Sequence, residues 1–337
     1  MHRPLLLRGA RQLLTLRGAE GVRRGSQCLD LGIINDGSVL IRNGRIVTVG
    51  QSRRVDNLSE ARHAIVYDAH GCVVMPGFLD ANLAVSANSL ASRRLLQLAF
   101  AHGSTAIGIC GTYFPLRSLA AADPVSPALI ATLDVDHAID EGQLQRAVRR
   151  NLAAFLRFDI LTHSRSTLRL LHGLGPALRV RCLAPERQDW LGLALAYGAF
   201  TIDIDSVLNR AQAALLADSP ACAILAPDAF HSARALLDAD AAIAAGSGFD
   251  SLPGGTCSMQ TVLLDLVRTG GLDMAEAISL ATINAAHSLG ASARYGSIEP
   301  GKSADLLVLH VSDYRDMVNF QGVNIVSKIV QAGNLVA

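Results

Sequence analysis

The stretch VVMPGFLDANLAV, residues 73–85, decides how the whole chain is interpreted. An apolar run crosses a Pro-Gly pair and reaches an acid at Asp80, and Asn82 and Ala84 follow at a spacing of two. Residues two apart on a strand point to the same face. The stretch therefore predicts a strand over 73–80 whose end delivers an amide and a methyl group where functional side chains are usual.

The sequence on the two sides of this stretch differs in pattern. Residues 5–74 are rich in predicted strands and include the hairpin SVLIRNGRIVTVG, with a turn at Asn43-Gly44. From 75 to 295, apolar runs alternate with segments of helical spacing, which predicts a parallel sheet. Eight such units in about 220 residues fit a compact (β/α)8 barrel. The eight predicted strands are 73–80, 104–110, 128–135, 157–162, 178–183, 199–204, 222–227 and 242–247.

Beyond residue 295 the chain returns to strands, one of them at Leu306–Val311. We therefore expect an α/β fold: a TIM-like barrel over 75–295 and a small β-sandwich domain built from both chain termini, 1–74 and 296–337. A helix is predicted for LDMAEAISLATINAAHSLG, with Asp273 and Glu276 forming its capping box and Gly290 ending it.

Composition excludes several classes of protein. Lys and Arg total 30 against 29 Asp and Glu, so the chain has no charge surplus for nucleic acid or an anionic membrane. It has no uncharged apolar run of about 18 residues, so no membrane span is expected. The six cysteines are far apart and form no C-x-x-C pair, which indicates free thiols and favours a reducing cytoplasm.

Several stretches resemble the amidohydrolase superfamily, and most closely the imidazolonepropionases. The first and second predicted barrel strands, MPGFLDANLAV and AHGSTAIGIC, are similar to those of the family. So are TINAAHSLG and YGSIEPGKSADLLVL, together with the ending FQGVNIVSKIVQAGNLV and the N-terminal β-segment. After Ala84 the second strand follows within about twenty residues, where the family carries a long substrate-contacting insertion.

The resemblance implies metal-assisted hydrolysis of a cyclic amide C–N bond, with Zn or Fe held at the C-terminal ends of the barrel strands. It also implies five metal-ligand positions. In this sequence none of them carries the expected His or Asp, so we expect a degenerate member with no metal cofactor. The residues at these positions are Asn82, Ala84, Cys182 (or Leu183), Ile204 and Gly248, with Asp250 reached only by shifting the register.

Other polar residues lie near predicted strand ends and could line one pocket. His137, His163 and Asp205 are candidates for residual chemistry, or else exposed loop residues without any. Cys110 is a possible thiol nucleophile with His137 as its base, or an inert buried cysteine. The remaining pocket candidates are Asp80, Asp250, Gly254 and Gly255, the glycines as backbone donors at a helix start.

Three functional hypotheses remain open. In the first, the chain is a catalytically impaired pseudoenzyme. In the second, it is an active hydrolase with a relocated metal or none. In the third, it binds a small cyclic amide or other polar ligand in the pocket where the family binds its substrate. By analogy with other large barrels of this superfamily, we expect a homodimer.

Overall fold

The structure is a computed structural model. It describes residues 3–18, 21–84, 89–112, 126–135, 144, 146, 149, 153–160, 177–182, 189–248 and 258–336. Two eight-stranded sheets make up its framework, one entirely parallel and one mixed.

The parallel sheet is the predicted barrel. Its strands are adjacent in chain order, as expected for repeated βα units. They are β6 (Phe78–Ala84), β7 (Ser104–Gly111), β8 (Ala128–Asp134), β9 (Phe155–Asp159), β10 (Ala177–Arg181), β11 (Thr201–Ile204), β12 (Cys222–Leu225) and β13 (Ile243–Ala245). The last strand returns beside the first, where the Gly248 N–H donates to the Asn82 carbonyl oxygen at 3.0 Å. The barrel prediction is thereby confirmed.

The mixed sheet takes strands from both ends of the chain, as predicted. Its order is β16-β15-β14-β5-β1-β2-β3, with β4 also pairing β1. The strands are β1 (Leu5–Leu14), β2 (Ile33–Arg42), β3 (Arg45–Gln51), β4 (Ile65–Asp68), β5 (Val73–Pro76), β14 (Leu306–Leu309), β15 (Val326–Gln331) and β16 (Asn334–Val336). The β2–β3 hairpin is confirmed, and Asn43 and Gly44 have φ values of +51° and +77° at its turn.

The predicted strand over 73–80 is wrong, because two strands of different sheets share this segment. β5 pairs with β1 and β14, whereas β6 opens the barrel. The break falls at Gly77, whose N–H donates to the Asp305 carbonyl at 2.9 Å. A side chain at residue 77 would collide with Thr105. The tight crossing from one sheet to the other therefore requires glycine.

The predicted helix from Asp273 to Gly290 is in fact two helices. The described helices are α1 (Ser52–Val55), α2 (Ser89–Ala101), α3 (Trp190–Ala196), α4 (Arg210–Ala217), α5 (Ala233–Asp238), α6 (Met259–Arg268), α7 (Met274–Leu280) and α8 (Ile283–Ser288). The Asp273–Glu276 capping box is present. The helix breaks after α7 because the Ala281 carbonyl accepts from the Leu79 N–H of the barrel at 2.8 Å. No described helix is long and apolar enough to cross a membrane.

Two apolar regions flank the barrel wall and fix where polar groups can lie. A large cluster packs one face of the strands against helices, with Trp190 and Leu191 of α3 among its members. A smaller one lies toward the strand starts and includes Leu79 and Ala106 with Leu289, which follows α8. Buried charged residues lie instead on β8 to β11.

Candidate functional site

Four consecutive barrel strands each contribute one charged side chain to a common cluster. They are Asp134 of β8, Arg157 of β9, Arg179 of β10 and Asp203 of β11, and we call them the arginine–aspartate centre. Arg157 is directly beside Asp134 in one ladder and beside Arg179 in the next. Arg157 is 7% exposed and Arg179 is fully buried, so these charges lie in the protein interior.

Paired hydrogen bonds hold the centre together. Arg157 contacts both Asp134 oxygens, from Nε at 2.5 Å and from Nη2 at 3.0 Å. Arg179 contacts Asp203 Oδ1 from Nη2 at 2.6 Å and from Nε at 2.9 Å. Arg157 Nη1 joins the two pairs by donating to Asp203 Oδ2 at 3.2 Å. Forked contacts of this kind are the strongest between arginine and carboxylate.

Both guanidinium groups remain charged. Burial alone would lower the pKa of Arg157, but the neighbouring carboxylates of Asp134 and Asp203 raise that pKa well above its ordinary value. Burial likewise acts to lower the pKa of Arg179. The adjacent Asp203 carboxylate raises that pKa above its ordinary value. The centre therefore holds two positive charges against two carboxylates, which satisfies the requirement that buried charges be paired.

The centre reaches the first barrel strand. Arg157 Nη1 donates to the Asn82 side-chain oxygen at 3.4 Å, and Cys110 Sγ lies 3.4 Å from the same oxygen. Arg179 Nη1 donates to the Ala81 carbonyl at 3.0 Å. The amide oxygen of Asn82 is therefore engaged by groups from β7 and β9.

Asp80 joins the two strands at which the barrel closes. Its Oδ1 accepts from the N–H groups of Asn82, at 3.1 Å, and Ser247, at 2.9 Å. It is fully buried, and burial raises its pKa above the ordinary value. These backbone contacts give Asp80 a structural position between β6 and the end of β13.

Known proteins are similar to this chain in sequence and in fold. The model of the Amidohydrolase family matches residues 210–336. An imidazolonepropionase of Geobacillus kaustophilus is 29% identical over 99% of this chain and 98% of its own length. That of Chloroflexus aggregans is 27% identical over 98% of both. The chain is therefore similar to imidazolonepropionases along almost its whole length, and its C-terminal part is similar to the Amidohydrolase family.

Solved structures agree on the fold of this imidazolonepropionase-like chain. E. coli guanine deaminase is 18% identical, with a TM-score of 0.73 over 100% of this chain and 99% of its own. A triazine hydrolase variant is 14% identical, with a TM-score of 0.77 over 100% of this chain and 95% of its own. The alignment with the Geobacillus relative extends over 423 positions, so that relative carries segments that the 337 residues of this amidohydrolase-like chain lack.

Two of the five expected ligand positions lie on the opposite face of the barrel wall from the centre. Side chains alternate along a strand, so Cys182 shares a face with Val180 rather than with Arg179. Ile204 likewise shares a face with Ile202 rather than with Asp203. All four apolar side chains belong to the cluster that packs against the helices. In this imidazolonepropionase-like barrel, the side chains of β10 and β11 that enter the centre are instead those of Arg179, which contacts the Ala81 carbonyl, and Asp203.

The structure places the remaining candidates separately. Gly248 follows β13 with a φ of +57°, and Ala84 ends β6 half-buried. Cys110 is fully buried, and burial raises the pKa of its thiol, which disfavours the thiolate. Asp205 is exposed just after β11. His137, His163, Asp250, Gly254 and Gly255 lie outside the described residues.

The residues of this amidohydrolase-like centre do not fit the metal that the family implies. The Asn82 oxygen already accepts from a cation, Ala84 and Gly248 offer no side-chain donor, and the Asp203 carboxylate is paired with arginine. The Arg157 guanidinium contacts the Asn82 side chain and that of Arg179 contacts the adjacent Ala81 carbonyl, so both would repel a divalent cation there. Within the described ranges, no group of three or more His, Cys, Asp or Glu could hold a metal ion.

Sequence reasoning missed the arginine–aspartate centre. A signal for it was present, because each of four consecutive predicted strands carries a charged residue inside an apolar run: ATLDV, FLRFD, LRVRC and TIDID. Charged residues are almost never fully buried unless paired. Two arginines and two aspartates on neighbouring buried strands therefore indicate an internal ion-pair cluster.

Proposed function

We propose that this imidazolonepropionase-like protein does not carry out the metal-assisted hydrolysis of its family and acts as a pseudoenzyme. One observation carries the proposal: the side chain at position 82 accepts a hydrogen bond from a buried guanidinium group, where the resemblance expects a metal-binding histidine. In this proposal the barrel serves stability or assembly rather than catalysis.

The chemical requirements of the family reaction support this proposal. Such hydrolysis needs a metal that polarises the carbonyl and lowers the pKa of a bound water toward 7. It also needs a base to accept the proton of that water. The resemblance assigns that base to the eighth-strand position, which holds Gly248 here. Asp80 is the carboxylate of β6, two residues before Asn82. Its Oδ1 already accepts hydrogen bonds from two backbone N–H groups.

A role in assembly fits a scaffold without catalysis. We propose a homodimer, by analogy with other large barrels of the superfamily. Light scattering after size-exclusion chromatography measures the assembly directly, and a mass of one chain at all concentrations would contradict it.

The decisive experiment is a hydrolysis assay on the purified full chain with an imidazolone substrate. The assay is run with added zinc, with added iron and with a chelator, and an imidazolonepropionase treated identically serves as the positive control. We expect no turnover above the uncatalysed rate in any of the three conditions. Metal-dependent turnover, with a transition metal bound at about one per chain, would overturn the proposal.

The same assay separates the alternative of a metal-free hydrolase. Turnover that persists in chelator and falls in Asp205→Asn, in Cys110→Ser, or in His137 and His163 variants would establish that alternative and contradict the pseudoenzyme. A ligand screen by thermal shift addresses binding without catalysis. A cyclic amide that raises the melting temperature would identify the barrel as a binding protein.

A further inference from the structure

The arginine–aspartate centre crosses the interior of the barrel. In an eight-stranded barrel, the fourth and fifth strands lie opposite the first. Arg157 and Arg179 start from those two strands, β9 and β10, and reach Asn82 and Ala81 of β6. The guanidinium groups therefore occupy the space between the strands rather than lying along the wall.

The centre has the same balance of charge as a divalent metal ion bound by two carboxylates. Arg157 and Arg179 together carry two positive charges, and Asp134 and Asp203 carry two negative ones. Each aspartate is held in a forked contact, and Asp203 also accepts from the second arginine. The cluster is neutral as a whole without any bound ion.

We propose that the Arg157–Arg179 pair is a built-in replacement for the metal ion of the family site, supplying its charge and occupying its place against position 82. The proposal rests on the proposed function and deepens it, because it gives the reason why no metal binds. A metal ion in contact with the residue-82 side chain would lie within a few ångströms of Arg157 Nη1, about the 3.4 Å that separates that nitrogen from the Asn82 oxygen. Repulsion between like charges is strong at that distance in a poorly solvated interior.

It follows that restoring the missing histidines is not enough to restore metal binding. Asn82→His combined with Ala84→His returns the first-strand pair but leaves both guanidinium groups in place. Removing Arg157 as well deletes one repelling charge and frees the Asp134 carboxylate as a ligand. We therefore predict that the positive charge of the two arginines excludes a metal ion even when histidine ligands are restored.

The test measures zinc binding by competition with a chromophoric chelator on full-length variants, without reference to turnover. We expect the Asn82→His/Ala84→His protein to bind zinc no tighter than the parent. Adding Arg157→Met is expected to tighten zinc binding at least about tenfold over that double variant. The matched control adds Arg42→Gln instead, which removes a surface arginine paired with Glu60, and is expected to leave zinc binding unchanged.

Two further variants separate charge from simple obstruction and guard against misfolding. Arg157→Lys in the same background keeps the charge and is expected to keep zinc out. Arg157→Gln keeps a donor toward Asp134 and replaces Arg157→Met if circular dichroism shows that the Met variant is unfolded. Equal zinc affinity in the double variant and in either neutral triple variant would overturn the proposal, as would tight binding in the Lys variant.

The unmodified protein provides a measurement that needs no variant. We expect the same melting temperature with zinc and with chelator, because an ion that binds the folded state would raise it. A zinc-dependent rise that Asn82→Ala abolishes would overturn the replacement. Metal-free hydrolysis, by contrast, would refute the pseudoenzyme and leave this inference standing, so the two failures are distinguishable.

Discussion

The two ends of the barrel interior are filled by opposite kinds of side chain. Toward the strand starts lies an apolar end that includes Leu79, Ala106 and Leu289. The arginine–aspartate centre takes its four side chains from other strands, β8 to β11. Burying apolar surface stabilises a fold by about 25 cal/mol per Å². Buried ion pairs contribute little net stability, because the desolvation of the charges offsets their attraction.

This difference teaches that the two ends respond differently to substitution. At the apolar end, the free energy lost should follow the volume removed. At the centre, it should depend on whether a charge is left without its partner. The predictions below test this contrast, beginning with the largest expected effect.

Asp203→Ala is expected to have the largest effect. It leaves Arg179 without its only carboxylate partner among the described residues and takes one of two from Arg157. Removing one member of a buried ion pair lowers the free energy of unfolding by about 3–5 kcal/mol. Urea unfolding followed by circular dichroism measures the loss.

The control for Asp203→Ala replaces the pair instead of breaking it. A protein with Arg179→Met and Asp203→Leu together leaves Arg157 with Asp134 and should unfold at a higher urea concentration than Asp203→Ala alone. If the double replacement is less stable than the single one, the contrast between the two ends is wrong.

Leu289→Ala tests the apolar end. Leu289 is buried in the apolar cluster and lies against Gly108 of β7. Truncating a buried leucine lowers the free energy of unfolding by about 2–4 kcal/mol, through lost burial and the cavity that remains. Leu215→Ala, on the exposed side of α4, is the control and should change stability little. Equal losses in the two variants would show that Leu289 is not part of the stabilising core.

Asp80→Asn sharpens the comparison through pH. Burial raises the pKa of Asp80 in the folded state above its unfolded value of 3.8. The carboxyl group's contribution to stability is therefore fully present below pH 3.8 and is lost as the pH rises through the folded-state pKa. The asparagine of Asp80→Asn does not titrate, so this variant should become more stable relative to the parent as the pH rises through that pKa. Urea unfolding at several pH values checks this, and parallel pH curves for the two proteins would contradict it.

Arg42→Ala should have the smallest effect. Arg42 pairs with Glu60 at 2.8 Å on the surface, where water and salt screen the two charges. Exposed pairs contribute about 0.2–1 kcal/mol, so unfolding should change by no more than that. A loss as large as that of Asp203→Ala would show that burial is not what separates the two ion pairs.

The sequence predicted the barrel and the mixed sheet because both depend on local patterns. Alternating strand and helix segments and the Asn43-Gly44 turn are readable from short windows. It could not predict that 73–80 divides between two sheets, because apolar residues continue on both sides of Gly77. The break after α7 was also missed, because its cause is a hydrogen bond between Ala281 and Leu79, far away in the sequence.

The candidate site was harder to predict for the same physical reason. Asn82 is adjacent to Arg157 only because the first and fourth strands face each other across the barrel, which no short window reveals. The side chains of Cys182 and Ile204, two of the expected ligand positions, face away from the centre. Strict alternation with Arg179 and Asp203 would have placed both on the opposite face.

The single residue between β5 and β6 has a consequence for any attempt to divide the molecule. β5 completes its sheet by pairing with β14 from the other end of the chain, and the Gly77 N–H donates to the Asp305 carbonyl. A cut that removes β14 to β16 would expose an unpaired edge one peptide from the first barrel strand. The position of β6 therefore depends on the C-terminal strands. A truncation that removes them would disturb the start of β6, the strand that carries Asn82.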